Sequence, residues 1–109
     1  MSESQFLRTV EATLAQVEAA IEAAGIAAEC SQAALILTIE FDDGAKIVVN
    51  AQAPMRQLWL ASRIGAQHFS HDGAAWRDTR NGQEFFAALS HAISAIQGET
   101  VVLRAPGGP

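Results

Sequence analysis

Three glutamates in the first part of the chain, Glu11, Glu18 and Glu22, are spaced so that a helix would place them in one stripe. An α-helix turns through about 100° per residue, so side chains four and seven residues apart lie on the same side of it. Glu18 and Glu22, at positions i and i+4, can share one ion, and hard cations accept carboxylate oxygens. Two or three exposed carboxylates without a histidine form an open site, so we expect a cation to bind weakly there and to exchange readily.

A second candidate site is the segment 54–62, which predicts a strand with apolar residues on both faces. Side chains alternate along a strand, so Leu58 and Leu60 share one face, and Gln57 and Trp59 share the other. If helices cover only the leucine face, Trp59 is exposed to solvent on an open face, where a large aromatic side chain is a good contact for a protein partner. The alternative is that its neighbours half-bury Trp59 and that it serves only the fold; the strand alone favours neither.

The acidic residues are concentrated in the first half of the chain, and the net charge is −5. Residues 1–43 carry eight acids and one base, whereas residues 44–109 carry four acids and six bases, for totals of 12 and 7. An acidic first half argues against a nucleic-acid backbone as partner and favours a cation or a basic protein surface. For any single acid, the alternative is that it only keeps the surface soluble.

Length and composition predict one soluble domain. With 109 residues, of which 50% are hydrophobic, the chain can close one core, and we predict a single domain over residues 1–105 with a disordered tail at 106–109. No apolar run approaches about 18 residues, and residues 1–10 show no targeting pattern, so we expect no membrane span. Cys30 is the one cysteine and cannot form an internal disulfide, which favours the reducing cytoplasm.

A helix is predicted near the start of the chain. Ser2 followed by Gln5 forms a capping-box pattern, and apolar residues recur at helical spacing from Phe6 to Ile21. Gly25 is well placed to end this helix.

The rest of the chain predicts a run of antiparallel strands followed by a second helix. Asn81 with Glu84 is a second capping pattern, and Gly98 can end that helix. Besides the Trp59 strand, predicted strands lie at 26–30, 35–41, 46–50, 67–70 and 75–78. The turn sequence 42–44, Asp-Asp-Gly, predicts a hairpin. The order predicts an α+β fold, a two-layer αβ sandwich whose antiparallel sheet has the N- and C-terminal helices packed on one face.

The sequence does not predict an enzyme. It has no glycine-rich phosphate loop, no nucleophile elbow and no Cys/His cluster at metal-site spacing. Cys30 follows Glu29 and has no nearby cation to activate it, which favours a structural thiol. His68 and His71 are three residues apart, which places them on opposite faces of a strand.

Several motifs along residues 4–104 together resemble the frataxins, in particular their bacterial members. The motifs are the helix and hairpin, Asn50 with Pro54, Gln57-Leu58-Trp59-Leu60-Ala61-Ser62, His68-Phe69, Trp76, and Asn81-Gly82 with Glu84-Phe85-Phe86. The resemblance implies the same αβ sandwich and a role in iron–sulfur cluster biogenesis. It also implies weak iron binding and docking on the complex of a cysteine desulfurase with its scaffold protein, where the protein would regulate or support sulfur transfer.

The resemblance implies a metal site at the acidic edge formed by the first helix and the first strand. Glu18, Glu22 and Glu29 match positions of that edge. Residues 23–28 read Ala-Ala-Gly-Ile-Ala-Ala, where the family is usually dense in aspartate and glutamate. The acidic edge is therefore thinned, which argues against storage of many iron ions.

Partner contacts in the family involve the acidic edge and the open sheet face, which implies partner-binding roles for Asn50, Gln57 and Trp59. Two functions then remain open for this chain, which we expect to be a monomer. The first is an iron-binding accessory protein of cluster assembly. The second is an interaction module of the same complex, in which the acids contact a basic partner and iron binding is incidental.

Overall fold

The computed structural model describes residues 1–104, which form two α-helices, six strands and one short 3-10 turn. The elements are α1 (Glu3–Ala23), β1 (Ala28–Ala33), β2 (Ile36–Phe41), β3 (Lys46–Gln52), the turn Ala53–Met55, β4 (Gln57–Ser62), β5 (Gly65–His71), β6 (Trp76–Asp78) and α2 (Phe85–Gln97). The predicted tail, 106–109, lies outside the described residues. Among the residues described, no helix is both long and apolar enough to cross a membrane.

The six strands form one sheet in the order β1 to β6, and every neighbouring pair is antiparallel. One face of this sheet is packed against the helices. Its buried apolar side chains are Leu37, Ile39, Phe41, Ile47, Val49, Leu58, Leu60, Phe69 and Trp76. They join one core with the predicted apolar stripe of α1 and with Phe85, Leu89 and Ile93 of α2. The predicted two-layer α+β sandwich is therefore confirmed.

The two ends of α1 follow the local sequence. The Ser2 hydroxyl accepts a hydrogen bond from the Gln5 amide at 3.1 Å, and the Gln5 side chain accepts one from the Ser2 amide at 2.8 Å. This reciprocal capping box satisfies two of the amides that a helix leaves without partners. Beyond Ala24, Gly25 adopts φ +68°, a left-handed conformation that favours glycine and turns the chain toward the sheet.

The predicted start of α2 is wrong, because Glu84 and not Asn81 caps this helix. The Glu84 carboxylate accepts hydrogen bonds from the amides of Phe86 at 2.8 Å and Ala87 at 3.1 Å. Asn81 instead accepts a hydrogen bond from the Gln83 amide within the preceding turn. The negative charge of the Glu84 carboxylate also lies at the positive end of the helix dipole, which favours Glu84 as the cap.

The predicted first strand is displaced as well. The amide of Ile26 donates to the carbonyl of Ile21 at 3.2 Å, so this residue belongs to the turn that follows α1 and not to a strand. Pairing with β2 begins only at Ala28, opposite Phe41, and continues to Ala33. The following two-residue turn uses Ala34 and Leu35 at φ +53° and +62°, a conformation for which glycine and asparagine are the usual residues.

A buried carboxylate organises the turn between β6 and α2. Asp78 accepts hydrogen bonds from the amides of Arg80 at 2.7 Å and Asn81 at 3.3 Å, and from the Gln67 side chain at 2.9 Å. Burial of the carboxyl opposes its ionisation, but these hydrogen bonds outweigh burial and hold the pKa of Asp78 below its usual value. The charged carboxylate is the form that the fold requires.

We predict that Asp78→Asn lowers the free energy of unfolding at neutral pH by about 1–2 kcal/mol, because an amide cannot accept all three hydrogen bonds. The folded-state pKa is depressed, so the stabilisation is complete above the unfolded pKa of about 4 and is lost as the pH falls through the folded value. Urea denaturation of both proteins between pH 7 and pH 3 measures this. If the difference in unfolding free energy between the two proteins stayed constant from pH 7 to pH 3, the stabilising role of the charged Asp78 would be contradicted.

Candidate functional site

The face of the sheet that the helices leave uncovered, called the open face from here on, carries Trp59 near its centre. Leu58 and Leu60 on either side of Trp59 are buried in the core. Side chains alternate along β4, so Trp59 points away from the helices together with Gln57. Across the neighbouring strands, Trp59 pairs with Asn50 of β3 and with His68 of β5. The three predicted partner-binding residues therefore lie together on one surface.

The indole of Trp59 lies on the open face and is half-buried, as the alternative interpretation of the strand allowed. Its ring lies parallel to the imidazole of His68, with 4.1 Å between the ring centroids and 8° between the planes. Its Nε1–H donates a hydrogen bond of 2.9 Å to the side-chain oxygen of Gln57. Neighbours on the open face thus cover part of the indole and fix its orientation.

His68 is the member of this surface to which the sequence assigned no role. The signal was available in the β4–β5 hairpin, where Ser62 pairs with Gly65 across a two-residue turn. Three residues before Ser62 is Trp59, and three residues after Gly65 is His68, so these two residues lie opposite each other. The length of the turn fixes the register of the two strands in this way. A register shift by one residue would bring Trp59 to the core face.

A groove between α1 and β1 holds the acidic pair. Glu18 is half-buried and Glu22, one turn later, is exposed. Both line the groove, and Ala28 and Cys30 form its wall on the β1 side. The helix spacing therefore brings Glu18 and Glu22 together as predicted.

Glu29 does not join this pair. Ala28 and Cys30 face the groove, so the alternation of β1 directs Glu29 toward the open face. There it pairs across the strands with Glu40, which in turn pairs with Lys46. Within residues 1–104, no group of three or more His, Cys, Asp or Glu side chains is arranged to hold a metal ion. Only two of the three predicted carboxylates therefore meet in the groove, because neighbouring residues of β1 point to opposite faces of the sheet.

Asp43 of the β2–β3 turn serves the turn itself. Asp43 accepts a hydrogen bond from the Ala45 amide at 2.9 Å and forms an exposed ion pair with Arg63 at 3.3 Å. The Ala45 amide, with Arg63 nearby, holds the pKa of the Asp43 carboxyl below its usual value. Its carboxylate is therefore already engaged within the fold.

Cys30 is a free, half-buried thiol at the wall of the groove. Burial raises its pKa, and the negative charge of Glu18 raises it further. A raised pKa leaves little thiolate near neutral pH, which agrees with the prediction of a structural thiol. The same dependence makes the cysteine a reporter of the charge at Glu18.

Comparison with known proteins identifies the class to which this fold and these surfaces belong. A model of the frataxin-like domain matches residues 1–99. The chain belongs to the frataxin-like family.

Several bacterial relatives carry a more particular name. The chain is 47% identical to the iron–sulfur cluster assembly protein CyaY of Cupriavidus metallidurans, over 95% of this chain and 97% of the relative. It is 46% identical to the CyaY of Herminiimonas arsenicoxydans, over 98% of this chain and all of the relative.

Solved frataxin structures share the fold. Frataxin from Psychromonas ingrahamii superimposes with a TM-score of 0.86 at 33% identity, covering 94% of this chain and 97% of that one. Trimeric frataxin from the yeast Saccharomyces cerevisiae, solved in complex with ferrous iron, superimposes with a TM-score of 0.67 at 23% identity and covers 91% of this chain. The second similarity concerns the fold alone.

We predict that Glu18→Gln accelerates alkylation of Cys30 by iodoacetamide at pH 8, because removing the negative charge lowers the pKa of the thiol and increases the thiolate fraction. Glu22→Gln removes one charge from the same helix and is the matched control, for which we expect a smaller change. The rate is measured by mass spectrometry. Equal rates in wild type and Glu18→Gln would show that the carboxylate does not influence the thiol.

Proposed function

We propose that this protein is an accessory component of iron–sulfur cluster assembly, which docks on the cysteine desulfurase and its scaffold protein and binds iron weakly. The observation that carries the proposal is the open face, with an oriented tryptophan between Asn50 and His68. Membership of the frataxin-like family and the names of the bacterial relatives support it. We place the monomeric protein in the cytoplasm, where a free cysteine such as Cys30 is stable.

The open face suits a protein partner better than a small substrate. It offers the indole of Trp59 with the amides of Asn50 and Gln57 close by, on a rigid sheet. Aromatic anchors surrounded by polar groups are typical of the residues that dominate binding energy at interfaces. Because Gln57 already holds the indole nitrogen, little side-chain freedom is lost when a partner covers the ring.

The acidic edge supplies a second, electrostatic contact. Glu18 and Glu22 lie at the groove between α1 and β1, and Glu29 and Glu40 lie on the open-face side of β1 and β2. We assign the second pair to contact with a basic partner surface. Complementary charge of this kind raises the association rate and is weakened by salt.

Glu18 and Glu22 are the proposed iron ligands. Two carboxylates on successive turns of a helix can bind one hard cation and leave its remaining positions to water. Such a site exchanges its ion readily, which suits delivery or sensing.

A second candidate function is an interaction module for which iron is incidental. It is favoured by the separation of Glu29 from the pair in the groove, since only two of the three predicted ligands meet there. The two functions share the docking surfaces and differ only in whether iron bound at the pair changes cluster assembly.

We predict that Trp59→Ala weakens binding to the desulfurase–scaffold complex by about 2 kcal/mol, roughly 30-fold, while the protein stays folded.

Affinity in wild type should also fall as salt increases, since exposed charges more than about 8–10 Å apart are screened at physiological salt. The decrease of affinity with salt should be shallower than a fuller acidic edge would give, because residues 23–28 carry no acids. Affinities measured by calorimetry across a salt series test both parts.

The matched control is Ile64→Ala, which truncates an exposed apolar side chain in the β4–β5 turn. Salt-independent affinity would exclude electrostatic docking. Affinity that collapses with salt and does not respond to Trp59→Ala would move the contact from the open face to the acidic edge.

We predict that Glu18→Gln combined with Glu22→Gln reduces binding of ferrous iron under anaerobic conditions and leaves thermal stability unchanged or slightly increased, since like charges at i and i+4 repel. The combination Glu29→Gln with Glu40→Gln removes the same charge from the other face and is the control. Iron isotherms are the measurement. A loss of binding in the control alone would move the iron site to the open-face side of β1.

A further inference from the structure

The orientation of Trp59 depends on contacts that the core does not provide. One face of the indole lies against the imidazole of His68, at 4.1 Å between ring centroids, and its nitrogen donates to Gln57. All three side chains are half-buried and lie on the open face. The indole is therefore held by side chains that are themselves at the surface.

The stacking partner is not required by the fold. On either side of His68 along β5, Phe69 is fully buried in the core and Gln67 bonds to the Asp78 carboxylate. His68 itself is half-buried and pairs across the strands with Trp59, so it lies on the open face and not on the core face. Two aromatic rings stacked on the solvent side add little to the burial on which folding depends.

We propose that His68 is a positioning residue, which holds the indole of Trp59 in the orientation that the partner binds. The inference rests on the proposed docking function of the open face. Its physical basis is pre-organisation: an indole already fixed by stacking loses less conformational freedom when the desulfurase–scaffold complex covers it. Aromatic pairs of this geometry also interact favourably beyond the area that they bury.

The position of His68 distinguishes this role from a direct contact. The imidazole covers one face of the indole, so that face is not available to the partner while the stack persists. If His68 acts only through Trp59, truncating His68 should have no effect on binding once Trp59 has been removed. A side chain that contacts the partner itself would keep its effect.

The test is a double-mutant cycle with Trp59→Ala and His68→Ala, with affinity for the desulfurase–scaffold complex as the readout. We expect His68→Ala alone to weaken binding about 2- to 10-fold, the range of an aromatic pair or one immobilised side chain, and to have no further effect in the Trp59→Ala background. His68→Phe keeps a ring against the indole and should restore most of the affinity. Ile64→Ala, which truncates an exposed side chain in the β4–β5 turn outside the stack, is the matched control and should match wild type.

A spectroscopic readout tests the positioning without any partner. In a Trp76→Phe background, only Trp59 fluoresces. His68→Ala should lower its fluorescence anisotropy and increase its quenching by acrylamide, whereas His68→Phe should leave both near the wild-type values. Unfolding midpoints of the same variants show whether the fold is intact.

The outcomes separate the two proposals. If Trp59→Ala weakens binding and His68→Ala does not, the docking function stands and the positioning role is wrong. If His68→Ala weakens binding equally with and without Trp59, His68 contacts the partner directly, and the positioning role is again wrong. If Trp59→Ala has no effect on binding, the proposed docking on the open face fails, and the positioning role fails with it.

Discussion

The structure depends on the coverage of only one face of an antiparallel sheet. Because side chains alternate along each strand, every strand residue is committed either to the core or to the open face. Leu58 and Leu60 are buried at 0% and 2% exposure, and this places Trp59 on the side without helices. The proposed docking surface is therefore a consequence of how the core is packed, and it needs no separate cavity or loop.

The same constraint divides the acids. Cys30 faces the groove beside α1, so its neighbour Glu29 faces the other way. Glu18 and Glu22 are left as a pair, which can bind one hard cation weakly but cannot enclose it. The proposed weak ion site and the proposed charged docking edge therefore lie on opposite sides of β1, separated by the thickness of a single strand.

Much of this arrangement could be predicted from the sequence, because it follows from periodicity. The capping box at Ser2, the apolar stripe of α1 and the alternation around Trp59 each require only local counting. The cap at Glu84 could not be predicted in this way, since the capping pattern places the start of the helix at Asn81, whereas α2 begins after Glu84, whose carboxylate accepts from the amides of Phe86 and Ala87. The Ala34–Leu35 turn adopts positive φ angles without the residues that signal them, because the pairing of β1 with β2 imposes the turn. To predict that His68 stacks on Trp59, the register of the β4–β5 hairpin was needed as well as the alternation along each strand.

We propose that the open face mediates the effect of this protein on cluster assembly. The initial rate of cluster formation on the scaffold by the purified desulfurase, with increasing amounts of wild-type protein or of Trp59→Ala, tests this directly. We expect wild type to change the rate in a saturable manner and Trp59→Ala to require a clearly higher concentration for the same effect. Identical concentration dependences for the two proteins would contradict it.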